Sequence, residues 1–457
     1  MRVAILTALY PLLALSSFIN PYFGVLNYTF VSVVRPEQLT YGVSSISYVF
    51  AIAIVCLLLS CLLRGENLVG ALKQRFFVLF LAYVAACYLA TAIAGHTVFG
   101  EERGSFYYLN QLPQICCFCL CLYAVLIRLK PAQFEQYLAI LTGLVCFMGL
   151  WGIDQHFRGN IQVEKLFGYD RCAVTSVFVL YLPWSVHYIK KPSARSKAFG
   201  VLLLAVFATM IVFTESRAGL LGLAVVLLGL FWYSRRKLFF LIWSLFFALF
   251  VLAIMPETQM ERFQSMQTAN VEESEITDYS SASRLLMWKL SLKMIPDHPF
   301  LGVGFLNFEK ANKEYGAAFK GFIDDRLYVG TFGGPGRPGL SHTHNTYLNL
   351  LVEGGILATL PFCLLILLPL RRGHKMNKVW PKDRPPQLEM VNLINVGVWG
   401  FLVTAVFDSL MLVDFFYWNL TIAYFLVREL ERQAEQPAEA AEPVLGVTAE
   451  LPEGRPA

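Results

Sequence analysis

The stretch HTHNTYLNLLVEGGILATLPFCLLILLPL, residues 342–370, begins with two histidines and an asparagine and then becomes almost entirely apolar. A bilayer core of about 30 Å requires about 20 apolar residues in a helix. The run from 346 to 370 satisfies that length, and Asn345 is of a residue type that caps helix N-termini. The stretch therefore predicts a membrane-spanning helix whose polar entrance carries His342 and His344.

The whole chain has the composition of an integral membrane protein. Of its 457 residues, 56% are hydrophobic and only 15% are charged, and the mean hydropathy is +0.55. Soluble proteins carry about 25% charged residues. Nine of the ten cysteines lie in apolar runs, and the cluster CCFCLC at 116–121 has no charged residue or histidine nearby. We interpret the cysteines as packing residues, and we expect no metal and no cofactor.

Apolar runs along the chain predict an all-α, polytopic membrane bundle of about twelve transmembrane helices. The first run lacks a small-residue cleavage pattern, so we interpret it as an uncleaved span. Residues 1–255 would hold nine helices, 256–345 one long, partly helical periplasmic loop, 346–430 three more helices, and 431–457 a disordered cytoplasmic tail. The predicted spans lie near 3–19, 43–63, 76–95, 106–127, 134–156, 172–189, 198–215, 217–234, 238–255, 346–370, 391–411 and 413–428.

Lysine and arginine alternate in density between successive short predicted loops. Among these short loops, with the long 256–345 loop left out of the count, eighteen of them fall in one set and six in the other set. Short cytoplasmic loops are the ones enriched in lysine and arginine. The asymmetry predicts that both termini are cytoplasmic and that the 256–345 loop lies on the outer side. The net charge of +5 then reflects cytoplasmic anchoring, and we expect no nucleic-acid partner.

The predicted outer loop contains one amphipathic segment and one glycine-rich segment. SASRLLMWKLSLKMI (281–295) places Leu285, Trp288, Leu292 and Ile295 at helical spacing. We expect this apolar face to lie on the membrane surface or against the bundle. The segment GTFGGPGRPG (330–339) suits either a lid over a site or a plain loop.

Charged residues near the predicted span ends are candidates for a site, because ionisable groups in a membrane are costly. TESRAG (214–219) places Glu215 and Arg217 at an outer turn. Arg217 could reach lipid phosphates or hold the phosphate of a ligand. Glu353 lies deeper in the predicted span 346–370. It could be either a structural hydrogen-bonding group or a site residue. Helical spacing would place His344 on the same face as Tyr347.

Three outer-side residues suit transfer of a group from an anionic, lipid-linked donor. The guanidinium groups of Arg217 and Arg284 could hold a pyrophosphate and stabilise the charge that develops as it leaves. A neutral imidazole at His344 could accept a proton from an attacking hydroxyl. The outer segments contain no Asp-x-Asp pair, so we expect chemistry that requires no metal ion.

These motifs, in this order, resemble the O-antigen ligase and polymerase superfamily of bacterial envelope glycosyltransferases. The resemblance is most specific over about 200–360 and covers 20–430 in layout. The matching pieces are TESRAG at 214–219, SRLLMW at 283–288, PDHPFLGVGFLNF at 296–308 and HTHNTYLNLLVEGG at 342–355.

The resemblance implies an O-antigen ligase in the bacterial inner membrane, with its active site facing the periplasm. The donor would be a glycan on undecaprenyl pyrophosphate, the acceptor a sugar of the lipid A-core, and transfer would invert the anomeric carbon. By motif match, Arg217 and Arg284 would bind the pyrophosphate and His344 would be the base. Possible auxiliary residues are His342, Asn345, Tyr347, Glu215, Glu353 and His298.

Three alternatives stay open. A polymerase of the same superfamily would use the same donor and a second lipid-linked glycan as acceptor. A protein O-oligosaccharyltransferase would accept serine or threonine hydroxyls. A transporter of lipid-linked glycans is the alternative from another class, although transporters favour internal repeats and we find none in this sequence.

Overall fold

The computed structural model describes residues 12–35, 47–94, 98–99, 103–104, 108–159, 170–234, 236–254, 279–334, 339–381 and 384–435. Within these ranges the chain is helical except for turns, connecting segments and one antiparallel pair of two-residue strands. The predicted helical membrane architecture is therefore confirmed. Residues 1–11, 255–278 and 436–457 lie outside the described ranges, and with them lie most of the first predicted span, the acidic start of the outer loop and most of the predicted tail.

The helices and strands follow one another in a simple order. The first half contains α1 (Pro21–Val34), α2 (Ser47–Leu63), α3 (Leu68–Leu72), α4 (Arg75–Ala94), β1 (Val98–Phe99), β2 (Arg103–Gly104), α5 (Gln111–Leu126), α6 (Pro131–Phe157), α7 (Arg171–Lys190), α8 (Ala194–Phe213), α9 (Arg217–Tyr233) and α10 (Lys237–Ala253). The second half contains α11 (Tyr279–Asp297), α12 (Phe308–Gly316), α13 (Asp325–Phe332), α14 (Thr346–Val379), α15 (Pro386–Thr404) and α16 (Asp414–Glu435).

Five described helices are long and apolar enough to cross a membrane by length and composition, namely α4, α6, α7, α8 and α14. Shorter apolar helices occur at Phe50–Leu63, α5 and α9. These findings support a helical membrane protein, but they do not establish the predicted number of twelve spans.

Helix α1 departs from the sequence-based prediction. The apolar run 3–19 was expected to lead directly to a span at 43–63, but a 14-residue helix lies between them. Asn20 caps this helix by accepting a hydrogen bond from the backbone N–H of Tyr22, and Pro21 occupies its first turn, a position where its missing N–H costs nothing. Most of α1 is buried in the bundle, where it packs against α2 and α6.

Helix α7 lies at the centre of the bundle and packs against α8, α9 and α15. Fourteen of its twenty residues are buried, and the apolar run continues around the helix as expected for a core position. Trp184 has its indole N–H satisfied within the bundle by the Asn419 side-chain oxygen at 3.2 Å. Because α7 is enclosed, the side chains of its first turn lie inside the end of the bundle at which α7 begins.

The predicted outer segment has its own small hydrophobic core. Helices α11, α12 and α13 bury Leu286, Met287, Leu290, Phe308 and Phe332 together with Val352 of α14. The amphipathic helix predicted at 281–295 is present. Of its predicted apolar face, Trp288 and Ile295 pack against this small core, whereas Leu285 and Leu292 are 40% and 60% exposed. Contact of the two leucines with a membrane surface stays a prediction. The short helices α12 and α13, which cover the buried face, were not predicted.

Two further predictions for the ends of segments change. The first residues of the glycine-rich segment 330–339 complete α13, and residues 335–338 lie outside the described ranges, so the choice between a lid and a plain loop stays a prediction. The predicted tail begins later than 431, because α16 continues to Glu435.

Candidate functional site

The two histidines lie on a short segment that is fixed from both sides before α14 begins. Between them, Thr343 is fully buried. Its carbonyl oxygen accepts a hydrogen bond from the indole N–H of Trp288 at 3.1 Å. Its backbone N–H donates to the side-chain oxygen of Asn349 at 3.0 Å. The segment is therefore held against α11 and against the first turns of its own helix.

Asn345 is the N-cap of α14, as the sequence predicts. Its side-chain oxygen accepts hydrogen bonds from the backbone N–H groups of Tyr347 and Leu348, both at 3.0 Å. These bonds satisfy two of the donors left open at a helix start. The Tyr347 hydroxyl donates to the carbonyl oxygen of Leu402 at 2.7 Å, so this ring joins α14 to α15.

His344 does not belong to the helix. Its φ is +50°, in the left-handed region that costs a non-glycine residue about 1–2 kcal/mol. The expectation that His344 and Tyr347 share a helical face is therefore wrong, because α14 begins only at Thr346. The backbone N–H of His344 donates to Nδ1 of His342 at 3.3 Å, and the two ring centres are 4.2 Å apart.

A buried carboxylate faces His344. Nδ1 of His344 lies 3.6 Å from Oδ1 of Asp408, and the side chains are 26% and 4% exposed respectively. This separation is within ion-pair range but longer than a normal N–H···O hydrogen bond. Such contacts commonly shorten when substrate binds. A carboxylate at Nδ1 leaves Nε2 as the nitrogen available to a reacting group.

The connection from α15 to α16 is tied to the first residue of α14, which fixes the position of Asp408. The backbone N–H of Thr346 donates to the carbonyl oxygen of Ala405 at 2.9 Å. The Thr346 hydroxyl donates to the carbonyl oxygen of Asp408 at 2.6 Å and accepts from the backbone N–H of Leu410 at 2.9 Å. Asp408 was not among the predicted site residues, and the signal for it in the sequence is an acidic residue near the end of the predicted span 391–411.

Burial and nearby charges shift the pKa values of His342 and Asp408. Burial, reinforced by the charges of His344 and Arg284, lowers the pKa of His342 to about 4. Burial alone would raise the pKa of Asp408, but the contact with His344 outweighs it, so the pKa of Asp408 lies below its usual value. His342 is therefore neutral and Asp408 ionised near neutral pH.

Arg284 on α11 reaches the same region. Its positive charge acts on both His342 and Cys172, and the residue is half-buried. The structure thus brings together Arg284 and the histidine segment, which are far apart in the sequence.

The TESRAG motif lies at the start of α9 and comes close to Cys172, which neighbours Asp408. Ser216 caps this helix by accepting a hydrogen bond from the backbone N–H of Gly219 at 3.3 Å. The Ser216 hydroxyl also lies 3.7 Å from the sulfur of Cys172. A Cβ at Gly219 would collide with the side chain of Thr175, so the glycine permits close packing of α7 and α9. Arg217 is the first residue of α9 and is half-buried.

Glu215, the residue before this cap, is buried and has a φ of +48°. It shapes the turn that presents Ser216 and Arg217.

The first turn of α7 adds Asp170 and Cys172 to the surroundings of Asp408. Asp170 caps α7 by accepting a hydrogen bond from the backbone N–H of Ala173 at 2.8 Å. Ligand-type atoms of Asp170, Cys172 and Asp408 lie within 4.8 Å of one another. Although Asp170 as a whole is exposed, desolvation of its carboxylate and the negative charge of Asp408 raise the pKa of Asp170 to about 6. Neither Asp170 nor Cys172 was predicted as a site residue.

Helix α14 is interrupted at Gly355, whose φ of +59° and ψ of −166° are not helical. The loop 299–304 occupies the interruption. Val303 N–H donates to the carbonyl oxygen of Val352 at 2.8 Å, and Gly304 N–H donates to that of Glu353 at 3.0 Å. On the other side of the break, Ile356 N–H donates to the carbonyl oxygen of Pro299 at 2.9 Å. The backbone groups freed by the break are thus satisfied by the loop, as burial requires.

Glu353 fastens this junction. It is fully buried, accepts a hydrogen bond from the side-chain N–H of Asn349 at 2.9 Å, and accepts one from the backbone N–H of Phe308 at 3.4 Å. These contacts favour the structural alternative that the sequence left open for Glu353. They also explain the paired motifs PDHPFLGVGF and VEGG, since each supplies the hydrogen-bonding partners of the other.

His298 lies away from the histidine segment. Together with Lys310, Tyr315 and Ile93 it lines a cavity of about 280 Å³ between α4, the 299–304 loop and α12. Neither His342 nor His344 is among the described residues that line this cavity.

The region that carries these motifs matches the model of a known protein family. Residues 200–363 match the model of the O-antigen ligase family. Residues 1–103 match the model of a family of unknown function (DUF5935). No match was found among curated proteins. The first match contains Arg217, Arg284 and His344, whereas Asp170 and Asp408 lie outside its limits.

Proposed function

Because residues 200–363 carry a domain of the O-antigen ligase superfamily, we propose that the chain is an O-antigen ligase of the bacterial inner membrane. It would transfer O-antigen polysaccharide from undecaprenyl pyrophosphate to a sugar of the lipid A-core at the periplasmic face. The reaction would invert the anomeric carbon and require no metal ion. The family assignment supports the reaction class, and the arrangement around His344 supports the roles of individual residues.

The observation that carries the proposal is the contact between His344 and Asp408. A half-buried imidazole whose Nδ1 faces a buried carboxylate presents Nε2 as a proton acceptor, and the imidazolium formed by proton transfer is stabilised by the same carboxylate. Asp408 would be a positioning residue, because it acts on the substrate only through His344.

The proposed reaction transfers the glycan from the pyrophosphate oxygen of the donor to the hydroxyl oxygen of the acceptor. An acceptor hydroxyl gives its proton to Nε2 of His344 while its oxygen attacks the anomeric carbon of the donor glycan. The bond between that carbon and the pyrophosphate oxygen breaks, and its electron pair leaves with undecaprenyl pyrophosphate. Arg217 and Arg284 would stabilise the negative charge on the leaving group, because a guanidinium binds phosphate oxygens through two parallel hydrogen bonds.

The experiment that tests this function is complementation of a strain lacking its O-antigen ligase. The chain should restore smooth lipopolysaccharide, whereas His344→Ala, at equal abundance in the membrane, should not. His374→Ala is the matched control, since His374 is exposed on the far part of α14. Failure of the unaltered chain to restore smooth lipopolysaccharide, with the donor present, would contradict the proposal.

A second assay separates the ligase from the polymerase. Purified chain would receive one lipid-linked glycan as donor and either lipid A-core or a second lipid-linked glycan as acceptor. A ligase gives a product only with lipid A-core. Extension of the lipid-linked glycan would instead identify a polymerase.

A further inference from the structure

We propose that His342, His344 and Asp408 form a binding site for a zinc ion, and that the bound ion inhibits the enzyme. The inhibition rests on the proposed function, in which His344 is the base. The binding does not, and it can be measured without any glycan substrate.

The geometry of the three side chains suits one small cation. One ligand-type atom from each residue lies within 4.8 Å of the corresponding atoms of the other two. Zinc binds imidazole nitrogen and carboxylate oxygen at about 2.0–2.2 Å, so ligand atoms around it stand about 3.3–3.5 Å apart by tetrahedral geometry. The observed 3.6 Å between Nδ1 of His344 and Oδ1 of Asp408 is close to that spacing.

A second observation points to a cation at this position. Oδ2 of Asp408 is buried and receives no hydrogen bond from any N–H or O–H group of the described residues. The whole side chain is only 4% exposed. A buried carboxylate oxygen without a donor is costly, and a metal ion in contact with it removes that cost.

The donor atoms select the kind of metal. Two imidazole nitrogens and one carboxylate oxygen, with a fourth position open, form a set that zinc uses in proteins. Calcium and magnesium prefer oxygen ligands throughout. Asp170 and Cys172 offer atoms within 4.8 Å of the Asp408 carboxylate, so a sulfur or a second carboxylate is available for the fourth position. Among abundant divalent ions the site therefore favours zinc.

Occupancy would stop proton transfer. A metal ion bound through Nδ1 of His344, the nitrogen that faces Asp408, leaves the N–H of the neutral ring on Nε2, so Nε2 has no lone pair with which to accept a proton. The ion also fixes the ring in the orientation of the metal site. Zinc at this site is thus incompatible with His344 acting as the base.

The binding test uses full-length protein, purified in detergent and washed with a chelator, and cobalt(II) as a spectroscopic substitute for zinc. We expect saturable binding of one equivalent, with visible absorption bands of a low-coordinate cobalt site that zinc abolishes. His342→Ala and the nearly isosteric Asp408→Asn should each weaken binding at least about tenfold, since even indirect partners of metal ligands contribute that much. His374→Ala should bind as the unaltered chain does.

The result that overturns the site is unsaturable binding, or equal binding by the unaltered chain, His342→Ala and Asp408→Asn. Cys172→Ser adds a further check on the ligand set, because loss of an intense near-ultraviolet sulfur-to-cobalt band would identify the sulfur as the fourth ligand. Retention of the visible bands in this variant supports the three-residue site.

The activity test adds zinc to the transfer assay. Zinc should inhibit the unaltered chain, and a chelator should restore its activity. Stimulation by zinc would overturn the inhibitory role. If the chain binds cobalt but transfers no glycan, the metal site is supported and the proposed function is contradicted. Failure of the site and failure of the function are therefore distinguishable.

Discussion

The indole N–H of Trp288 on α11 donates a hydrogen bond to the backbone carbonyl of Thr343, the residue between the two histidines. This bond crosses from the outer segment to the entrance of α14. It positions His342 and His344 through the main chain rather than through their own side chains. The position of the proposed base therefore depends on a residue that has no part in the chemistry.

We expect Trp288→Phe to lower both stability and transfer. The substitution removes the indole donor and leaves the buried carbonyl of Thr343 without it, a loss of about 1–3 kcal/mol. Thermal unfolding in detergent and the transfer rate would measure the two effects. Trp399→Phe is the matched control, because Trp399 is half exposed on α15. Equal behaviour of the two variants would contradict the role assigned to Trp288.

His344→Ala should reduce transfer by about 10²–10⁴-fold, the usual contribution of a general base. Asp408→Asn should also reduce the rate while leaving donor binding largely unchanged, because an amide can reverse the tautomer of the ring it faces. A rate measurement at saturating donor, together with a donor-binding measurement, separates these effects. Full activity of His344→Ala would refute the assignment of the base.

Arg217→Lys and Arg284→Lys should each lower transfer by about ten- to a hundredfold, since loss of one charge-assisted hydrogen bond costs about 1.5–3 kcal/mol. An ammonium keeps the charge but cannot form two parallel bonds to a phosphate. Arg326→Lys, on the exposed first turn of α13, controls for the general effect of the replacement. Unchanged activity in Arg217→Lys would indicate that this residue only contacts lipid headgroups.

Gly355→Ala should destabilise the protein by at least about 3 kcal/mol. Its φ of +59° disfavours any side chain, and a Cβ would collide with the carbonyl group of Phe300. Gly321→Ala separates the two causes, because Gly321 has a φ of +79° but a Cβ there would have no neighbouring atom within 4 Å. This control should lose only about 1 kcal/mol. Equal unfolding temperatures for the two variants would show that the collision has no effect.

Transfer should continue undiminished after treatment with a chelator. Two guanidinium groups supply the positive charge that a metal ion would otherwise bring to the pyrophosphate. The measurement is the transfer rate of chelator-washed protein before and after addition of magnesium or manganese. Loss of activity that either ion restores would replace the paired-arginine account with a metal-assisted one.

Local sequence signals located most helices of the bundle within a few residues. The apolar runs at 76–95, 134–156 and 172–189 correspond to α4, α6 and α7. Asn345 correctly marked the start of α14, because an N-cap acts on its own helix. These features depend on residues that are neighbours in the sequence.

The features that the sequence did not reveal depend on distant partners. The break at Gly355 is stable because the carbonyl groups of Pro299 and Phe300 accept hydrogen bonds from the backbone N–H groups that the break leaves unpaired. The two adjacent glycines in the sequence do not by themselves predict an interrupted helix. Asp408 belongs to the candidate site because the α15–α16 connection contacts Thr346, a residue that lies 62 positions earlier in the sequence. The buried face of α11 depends on α12 and α13, which are only nine and eight residues long.

The backbone ladder between Val303 and Val352 constrains how this protein can be recombined with relatives. A chimera that receives residues 296–308 from another protein with the same O-antigen ligase domain, but keeps its own break at Gly355, would pair a foreign loop with backbone groups that it does not match. An exchange of this part of the chain should therefore transfer 296–308 and 342–357 together, even though more than thirty residues separate them.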